Sequence, residues 1–438
     1  MSGFSIALLL ANFVAILALP RRWAPLPLLI GACYITRNQL IEVGPLHFTS
    51  VRILILAGLV RIIIRGGTLV GRMNVLDSMV LVWAVWMLLS SSFHENSSAT
   101  LITRLGETYD ACGFYFLIRV FCQQREDVVG LCRLLAFILV PIAIEMIYEK
   151  VTDNNLFYLL GGTSLPHYIR QGHIRAQGPF AHAINGGTVG AVCLPLMILL
   201  WQSHRKVAVS GIVACLVIIF TSASSGPIIS GMAAIAALLM WNYRHLTRAT
   251  RWTAVGVYVL LDLVMKDPAY YIIARIDLAG GSASWHRARL IQAAIEHLPE
   301  WWLVGTDYTR HWMPTGVSWH PNHTDITNQY ILMGVMGGLP LMVLFIAILV
   351  GGFSLVGQAV RQMSESSRHS RFVMWAIGAS LFAHATTFIS VAYFDQTVVF
   401  LYLTLGAIGS LWSLTVREKC RVISSRAISN RLALSNSA

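Results

Sequence analysis

Apolar runs of membrane-crossing length recur along almost the whole of this chain, and that recurrence restricts the possible folds more than any single motif does. They fall at roughly residues 4–20, 23–36, 50–64, 75–93, 105–122, 128–148, 181–202, 207–222, 226–242, 252–266, 326–352, 372–391 and 396–416. A helix needs about 17–25 such residues to cross the hydrocarbon core, so the second and third runs are short for the task. With no water inside a bilayer, only a helix satisfies its own backbone there without a closed barrel. The expected fold is all-α and polytopic, with about 12–13 transmembrane helices. Composition agrees: 56% of the 438 residues are hydrophobic and 12% charged. A soluble chain would carry about a quarter charged residues.

The net charge of +12 raises nucleic acid as a partner, but the basic residues sit between apolar runs and form no binding stripe. Their placement instead obeys the rule that cytoplasmic loops are basic. Arg417, Lys419, Arg421, Arg426 and Arg431 follow the last run and put the C-terminus in the cytoplasm. Arg361, Arg368 and Arg371, then Arg244, Arg248 and Arg251, then Arg205 with Lys206, then Arg65 with Arg72, fall on the same side. This alternation puts segments 150–180 and 267–325 together on the outer face. Thirteen runs would place the N-terminus outside as well, and twelve would place it inside. Phe4 to Pro20 has the length of a signal peptide, but Arg21 and Arg22 follow it instead of preceding it, so it reads as a retained span. The seven cysteines (33, 112, 122, 132, 193, 215 and 420) form no C-x-x-C and avoid both long polar loops. No disulfide and no zinc site are expected.

Between Asp267 and Asp325 the chain changes character. It carries Arg275, Arg287, Arg289 and Arg310 with His286, His297, His311, His320 and His323. A loop of that length is where function usually resides. The shorter loop holds Lys150, His167, Arg170, His173 and Arg175 against Glu149 and Asp153. Positive charge on the disfavoured face points to an anionic ligand, with a plainly solvated loop as the alternative. From Ser282 a capped helix is expected, ending at Leu298 before Pro299. Trp285, Ala288, Ile291 or Gln292, Ile295 and Leu298 fall on one face, with His286, Arg289, Glu296 and Glu300 on another. With Trp301, Trp302, Leu303 and Val304 behind it, this reads as an interfacial helix presenting its arginines above the headgroups. The Gly-Gly pairs at 186–187, 280–281, 337–338 and 351–352 mark turns or close helix packing. The chain divides into N-terminal helices (1–149), a core with both outer loops (150–352), C-terminal helices (353–416) and a basic tail (417–438).

Arg175-Ala-Gln-Gly-Pro-Phe-Ala-His-Ala-Ile-Asn-Gly resembles the R-x-x-G-x-F-x-(H/N)-(P/A)-x-x-x-G signature of the O-antigen ligase and polysaccharide polymerase superfamily. Ser284-Trp-His-Arg-Ala-Arg-Leu-Ile-Gln-Ala-Ala, then Pro299 and Val304-Gly-Thr-Asp, is similar to its second signature. Asp325-Ile-Thr-Asn-Gln-Tyr330 with Gly334-Val-Met-Gly-Gly-Leu-Pro approximates the third. The likeness covers residues 170–345, and it departs from the pattern where Thr327 stands for a histidine and Asp307 for a glycine. If 323–330 forms two helical turns, His323 shares a face with Thr327 and Tyr330 and can substitute for the missing imidazole.

The resemblance implies a C-type glycosyltransferase architecture in the bacterial inner membrane, working on its periplasmic face without metal or other cofactor. It implies transfer of a glycan from an undecaprenyl diphosphate carrier to an acceptor hydroxyl, on a lipid A core (ligase) or on another carrier-linked glycan (polymerase). Guanidinium groups clamp a diphosphate leaving group bidentately, and a neutral imidazole takes the hydroxyl proton. Arg175, Arg287 and His323 are the expected catalytic set. Arg289 competes with Arg287, since motif register favours the one and the polar face the other. Arg170, His182, His320, Asp325 and Asn328 are expected to contact substrate, although His182 also suits a helix end. A single displacement would invert the anomeric centre.

Arg104, Glu107 and Asp110 share one helix face, either bridging within the bundle or lining the outer cavity. The chain has no D-x-D, no Walker A lysine motif and no H-E-x-x-H, and Ser225-Gly226 lies in an outer turn and not in a protease core. The rival from another class is a transporter or flippase for an anionic lipid-linked sugar, which calls for interrupted helices and midplane charges.

Overall fold

The computed structural model describes residues 1–36, 39–44, 46–161, 169–170, 172–275, 284–318, 320–363, 368–394 and 396–435. The described chain is mainly helical, with almost no sheet. In order come α1 (Gly3–Ala18), α2 (Pro25–Tyr34), α3 (Ser50–Arg65), α4 (Val75–Ser90), α5 (Ser97–Phe121), α6 (Arg125–Thr152) and the short α7 (Leu156–Leu160). There follow α8 (Ala183–Ile198), α9 (Arg205–Thr221), α10 (Ser225–Leu239), α11 (Thr247–Val264) and α12 (Ile272–Arg275). The rest are α13 (Ser284–Glu296), α14 (Leu298–Trp301), α15 (Gln329–Gln362), α16 (Arg368–Thr387) and α17 (Gln396–Ser435). Three antiparallel hairpins decorate the connections: β1 (Ile41–Val43) with β2 (Leu46–Phe48), β3 (Ile169–Arg170) with β4 (His173–Ile174), and β5 (Gly316–Val317) with β6 (His320–Thr324).

Every expected apolar run coincides with a helix, but the number that can cross a membrane unaided is smaller than 12–13. Among the described residues five stretches are long and apolar enough: Val75–Phe93, Arg125–Thr152, Ala183–Gln202, Gln329–Gln362 and Gln396–Cys420. A sixth arises if α10 and α11, bent by 105°, make one broken span. The others fall short for physical reasons. The α2 helix has 10 residues and α3 has 16, while α5 carries Arg104, Glu107, Asp110 and Arg119 along its length. None of the residues of α11 is buried, so it stands off the bundle.

One apolar core runs from Leu9 through Leu196 to Leu411, with α5 packed on α17 and α4 on α15. Helices from the two ends of the chain therefore share it. A smaller core of Leu290, Ala293, Ala294, Trp301 and Trp312, all from the long loop, closes against Ile331 of α15. Both polar loops gather at one end of the bundle. There the Gln396 side chain donates to Pro179 O, that of Asn328 to Ile389 O, and the N–H of Tyr393 to Gln329 Oε1. The other end carries Arg21 paired with Asp127 and Arg125 with Glu418. Close to it lies a fully buried cluster in which Asp77 accepts from Arg119 and Tyr115.

The α15 helix is broken at Gly337 and Gly338, whose backbones are not helical. A break in an apolar helix frees carbonyls that lipid cannot satisfy, so other protein groups must do so. Thr306 N–H donates to Val335 O at 2.9 Å, His94 Nε2 lies 3.1 Å from Met336 O, and Trp86 Nε1–H donates to Gly337 O at 2.8 Å. Leu339 N–H in turn donates to Trp302 O. The long loop is thus docked into the break. Gly338 has φ +76°, and a Cβ there would stand 2.1 Å from Leu303 O. Gly338→Ala is expected to cost roughly 1–3 kcal/mol from the dihedral alone, before the collision is counted. Size-exclusion profiles of the detergent-solubilised variant on a temperature ramp would test this, and an unchanged melting point would contradict the docked break.

Candidate functional site

Arg175 lies just after β4, in a segment pinned from both sides. Ala176 N–H donates to Thr221 O, and the Glu149 carboxylate accepts from Gln177 N–H (3.0 Å) and Gly178 N–H (2.8 Å). Gly178 has φ +59°, which gives the glycine of the R-x-x-G stretch a backbone reason. The Arg175 guanidinium is buried, donating to Ser222 O at 3.4 Å and to Ser224 Oγ. Its neighbour is the turn between α9 and α10, where Ala223 adopts φ +44°. The Arg170 and His173 side chains lie outside the described part of the chain, as do His167, Gly280, Gly281 and Ser282. His182 is the N-cap of α8, its Nδ1 accepting from Ile184 N–H.

Arg287 and Arg289, the two candidates for the second clamp, fall on different sides of α13. Arg287 is 9% exposed and lies with Leu290, Ala293 and Ala294 on the packed face. Arg289 is on the open side, bridged to Glu296 at 3.3 Å. The expected apolar face is divided: Ala288 is buried, whereas Trp285, Ile295 and Leu298 are exposed, as are Trp302 and Leu303. The packed face is made instead by Ser284, Arg287, Ala288, Leu290, Ala293 and Ala294. The helix also ends at Glu296, and Pro299 falls in the first turn of α14, where its missing N–H costs nothing.

His323 is corrected too. It belongs to β6, and α15 starts only at Gln329, so 323–330 is not two turns of helix. Asn328 sets that start. Its Oδ1 accepts from Tyr330 N–H and Ile331 N–H and its Nδ2 donates to Ile389 O, leaving it a capping role. Thr327 is left at the point where the resemblance asks for a histidine. Its hydroxyl is buried and has no hydrogen-bond partner among the described residues. Asp325 lies beside α13, its carbonyl 2.9 Å from His286 Nε2.

His323 and His320, whose rings are 4.3 Å apart, open into a cavity of about 400 Å³ with Arg104, Asn322 and Asp307. His323 Nδ1 is 3.2 Å from Thr309 Oγ1. Partial burial pushes its imidazole below the ordinary histidine range. His320 and Arg104 push the same way, against the carboxylate of Asp307. Asp307 replaces a glycine of the resembled motif for a visible reason. It accepts from Glu95 N–H at 2.7 Å and faces His94 Nδ1 at 2.5 Å. Partial burial works to raise its carboxyl, but the Glu95 N–H and His94 hold it below the usual range. Arg104 pairs with Glu107 at 3.1 Å, whereas Asp110 pairs with Arg52 of α3. His94 was not expected, and its separation from Asp307 by 213 positions leaves no local signal.

A second cavity, of about 660 Å³ and almost wholly apolar, lies between α11, α13 and α15. Tyr258, Ile291, Ala294, Leu298, Met342 and Ile389 contribute to its wall, and Asn328 stands at its edge. Arg287 is one helical turn before Ile291 on the same face. Neither Arg175 nor Arg287 lines the smaller, polar cavity. The expected site residues therefore divide into two buried guanidiniums and a separate cluster of histidines. Residues 323–328 connect the two cavities. Fold and site together define an all-α protein with several helices apolar enough to cross a membrane and its polar machinery at one end. No family model matches the chain, and no curated protein matches it.

Proposed function

We propose that this chain is a bacterial inner-membrane glycosyltransferase of the O-antigen ligase and polymerase kind, using a lipid diphosphate-linked glycan as donor at its periplasmic face. The observation that carries the reading is the placing of Arg287. Arg287 is buried and precedes by one helical turn Ile291, which lines an apolar cavity of about 660 Å³; a cation on the turn next to such a wall suits an amphiphile with an anionic head and a hydrocarbon tail. Arg175 is the second clamp, on a loop at the same end of the bundle. The polar cavity takes the acceptor. The stretch from His323 in one cavity to Asn328 at the other holds their Cα atoms within about 18 Å. That leaves room for a sugar between them, with the Thr327 hydroxyl, which has no hydrogen-bond partner among the described residues, on the way.

The acceptor oxygen attacks the anomeric carbon, the bond from that carbon to the diphosphate oxygen breaks, and the hydroxyl proton passes to His323. The carrier diphosphate leaves with its charge held by the guanidiniums. Incubating the purified protein with carrier-linked glycan and a lipid A core acceptor tests the reading. Release of carrier diphosphate with glycan on the core supports a ligase, and lengthening of carrier-bound glycan supports a polymerase. Neither product in the presence of folded protein would sink the proposal.

The break in α15 favours the transporter reading, since interrupted helices mark binding sites in that class. Here, however, its freed carbonyls already accept from Thr306 and Trp86 and face His94, so the break serves to hold the loop. A lowered His323 stays neutral, and able to take a proton, further into acid than an ordinary histidine. His320→Ala removes the neighbour that, after burial, does most to hold it down. The acid limb of the rate-versus-pH profile is then expected to move to higher pH. A limb that stays put or moves the other way would remove His323 from the role of base.

A further inference from the structure

We propose that His297, Glu300 and His311 form a binding site for a divalent transition-metal ion, zinc being the best match, that clips the long loop closed. The cysteine spacings point to no zinc site, but this set contains no cysteine and comes together only in the fold. One ligand atom from each of the three residues lies within 4.8 Å of the other two. His297 Nδ1 is 2.7 Å from Glu300 Oε1, and His311 Nε2 is 3.0 Å from Glu300 Oε2. Bonds of about 2.0–2.2 Å to a tetrahedral ion give a ligand-to-ligand edge of roughly 3.4 Å. The gap between that edge and the present spacing is within reach of side-chain rotation.

The donor chemistry selects the ion. Two imidazoles and one carboxylate suit zinc and its neighbours, whereas calcium and magnesium call for oxygen ligands. The surroundings also orient the ligands. Trp312 Nε1–H donates to Glu300 Oε2 at 3.2 Å, the Trp312 ring stacks on His297 with planes 7° apart, and Tyr308 stacks on His311. Such outer contacts, which fix a ligand's direction, are typical of real metal sites. His297 is half-buried while Glu300 and His311 are exposed, so an ion can enter from solvent and keep a water as its fourth ligand.

What the clip would hold follows from the chain between its ligands. His297 and Glu300 belong to the turn at α14, and His311 lies beyond it in the single 3-10 turn Arg310–Trp312. The intervening stretch carries Thr306, which docks into the α15 break, Asp307, which faces His94, and Thr309, which meets His323. The ion would act by stapling this stretch and would take no part in the bond being made. The site therefore stands whether or not the glycan-transfer reading survives.

The test uses the full chain in detergent, stripped with a chelator and titrated with zinc chloride against a chromophoric competitor. One saturable equivalent is expected. Glu300→Gln, which keeps the shape but removes the charge and one acceptor oxygen, and His311→Ala should each weaken it by more than about 100-fold, the upper end of what losing an outer-shell contact costs. His320→Ala, which disrupts the other histidine pair, should leave it intact. Stripping should lower the melting temperature of the native protein and leave that of His311→Ala unchanged. Absence of a saturable equivalent would overturn the assignment. So would a site that survives Glu300→Gln and His311→Ala but is lost in His320→Ala.

Discussion

Arg175→Ala is expected to lower the rate of glycan transfer by about 100–1,000-fold, the usual consequence of removing one donor from a developing oxyanion. The loss should fall on kcat more than on KM, because charge on the bridging oxygen grows only as the glycosidic bond breaks. Arg175→Lys keeps the charge but not the fork, so it should recover only part of the activity. Arg175 is buried against Ser222 and Ser224, so a purely structural role is the reading to beat. Ser224→Ala separates the two. It removes the anchor and leaves the guanidinium, and is expected to change the rate less than the loss of the arginine does while giving a similar melting temperature. If Ser224→Ala and Arg175→Ala fail alike, or if Arg175→Ala transfers glycan normally, Arg175 holds a turn and nothing more. A counterflow assay on the same variant addresses the transporter reading, for which transport and not transfer would be lost.

The parts of the fold legible in the sequence are those that solvent forces on a chain. An apolar run in lipid has to close its own hydrogen bonds, so each run falls on a helix: 226–242 closely matches Ser225–Leu239, whereas 105–122, 326–352 and 396–416 fall on the longer helices Ser97–Phe121, Gln329–Gln362 and Gln396–Ser435, whose polar ends hydropathy does not mark. The gathering of segments 150–180 and 267–325 at one end was likewise readable, from the alternation of basic loops. What pattern alone does not carry is pairing between distant positions. The break in α15 looks in sequence like another Gly-Gly packing pair, and only the docking of Leu303 to Thr306 explains it. Asn328 and His182 sit in motif register, yet both cap helices. The helical spacing of His323, Thr327 and Tyr330 is real in the numbers, but the Asn328 cap starts the helix too late to use it. Arg287 is the opposite case. Motif register favoured it where the amphipathic pattern favoured Arg289, and it is the buried one of the two, packed with Leu290, Ala293 and Ala294, a face that the spacing of large apolar residues does not reveal.

Asp77→Ala is expected to destabilise the bundle by about 3–5 kcal/mol, since it strips the partner from a buried cation. The Asp77 carboxylate accepts from Arg119 Nε at 2.9 Å and Nη2 at 3.0 Å, from Tyr115 Oη at 2.6 Å and from Asn74 N–H at 2.7 Å. Both ion-paired side chains are 0% exposed, so water cannot replace what is lost. The same carboxylate completes the N-terminal capping box of α4, which links the pair to the start of that helix. Burying two charges is itself expensive, and this sets a second expectation. In Asp77→Leu with Arg119→Met, where both are exchanged for apolar groups, much of the loss should be regained, because no charge is left stranded. The Tyr115 hydroxyl would still lack its acceptor, so adding Tyr115→Phe should recover more. Thermal unfolding of the four proteins in one detergent gives the comparison. A double variant no more stable than Asp77→Ala would show that Asp77 contributes through its capping of α4 and not through Arg119.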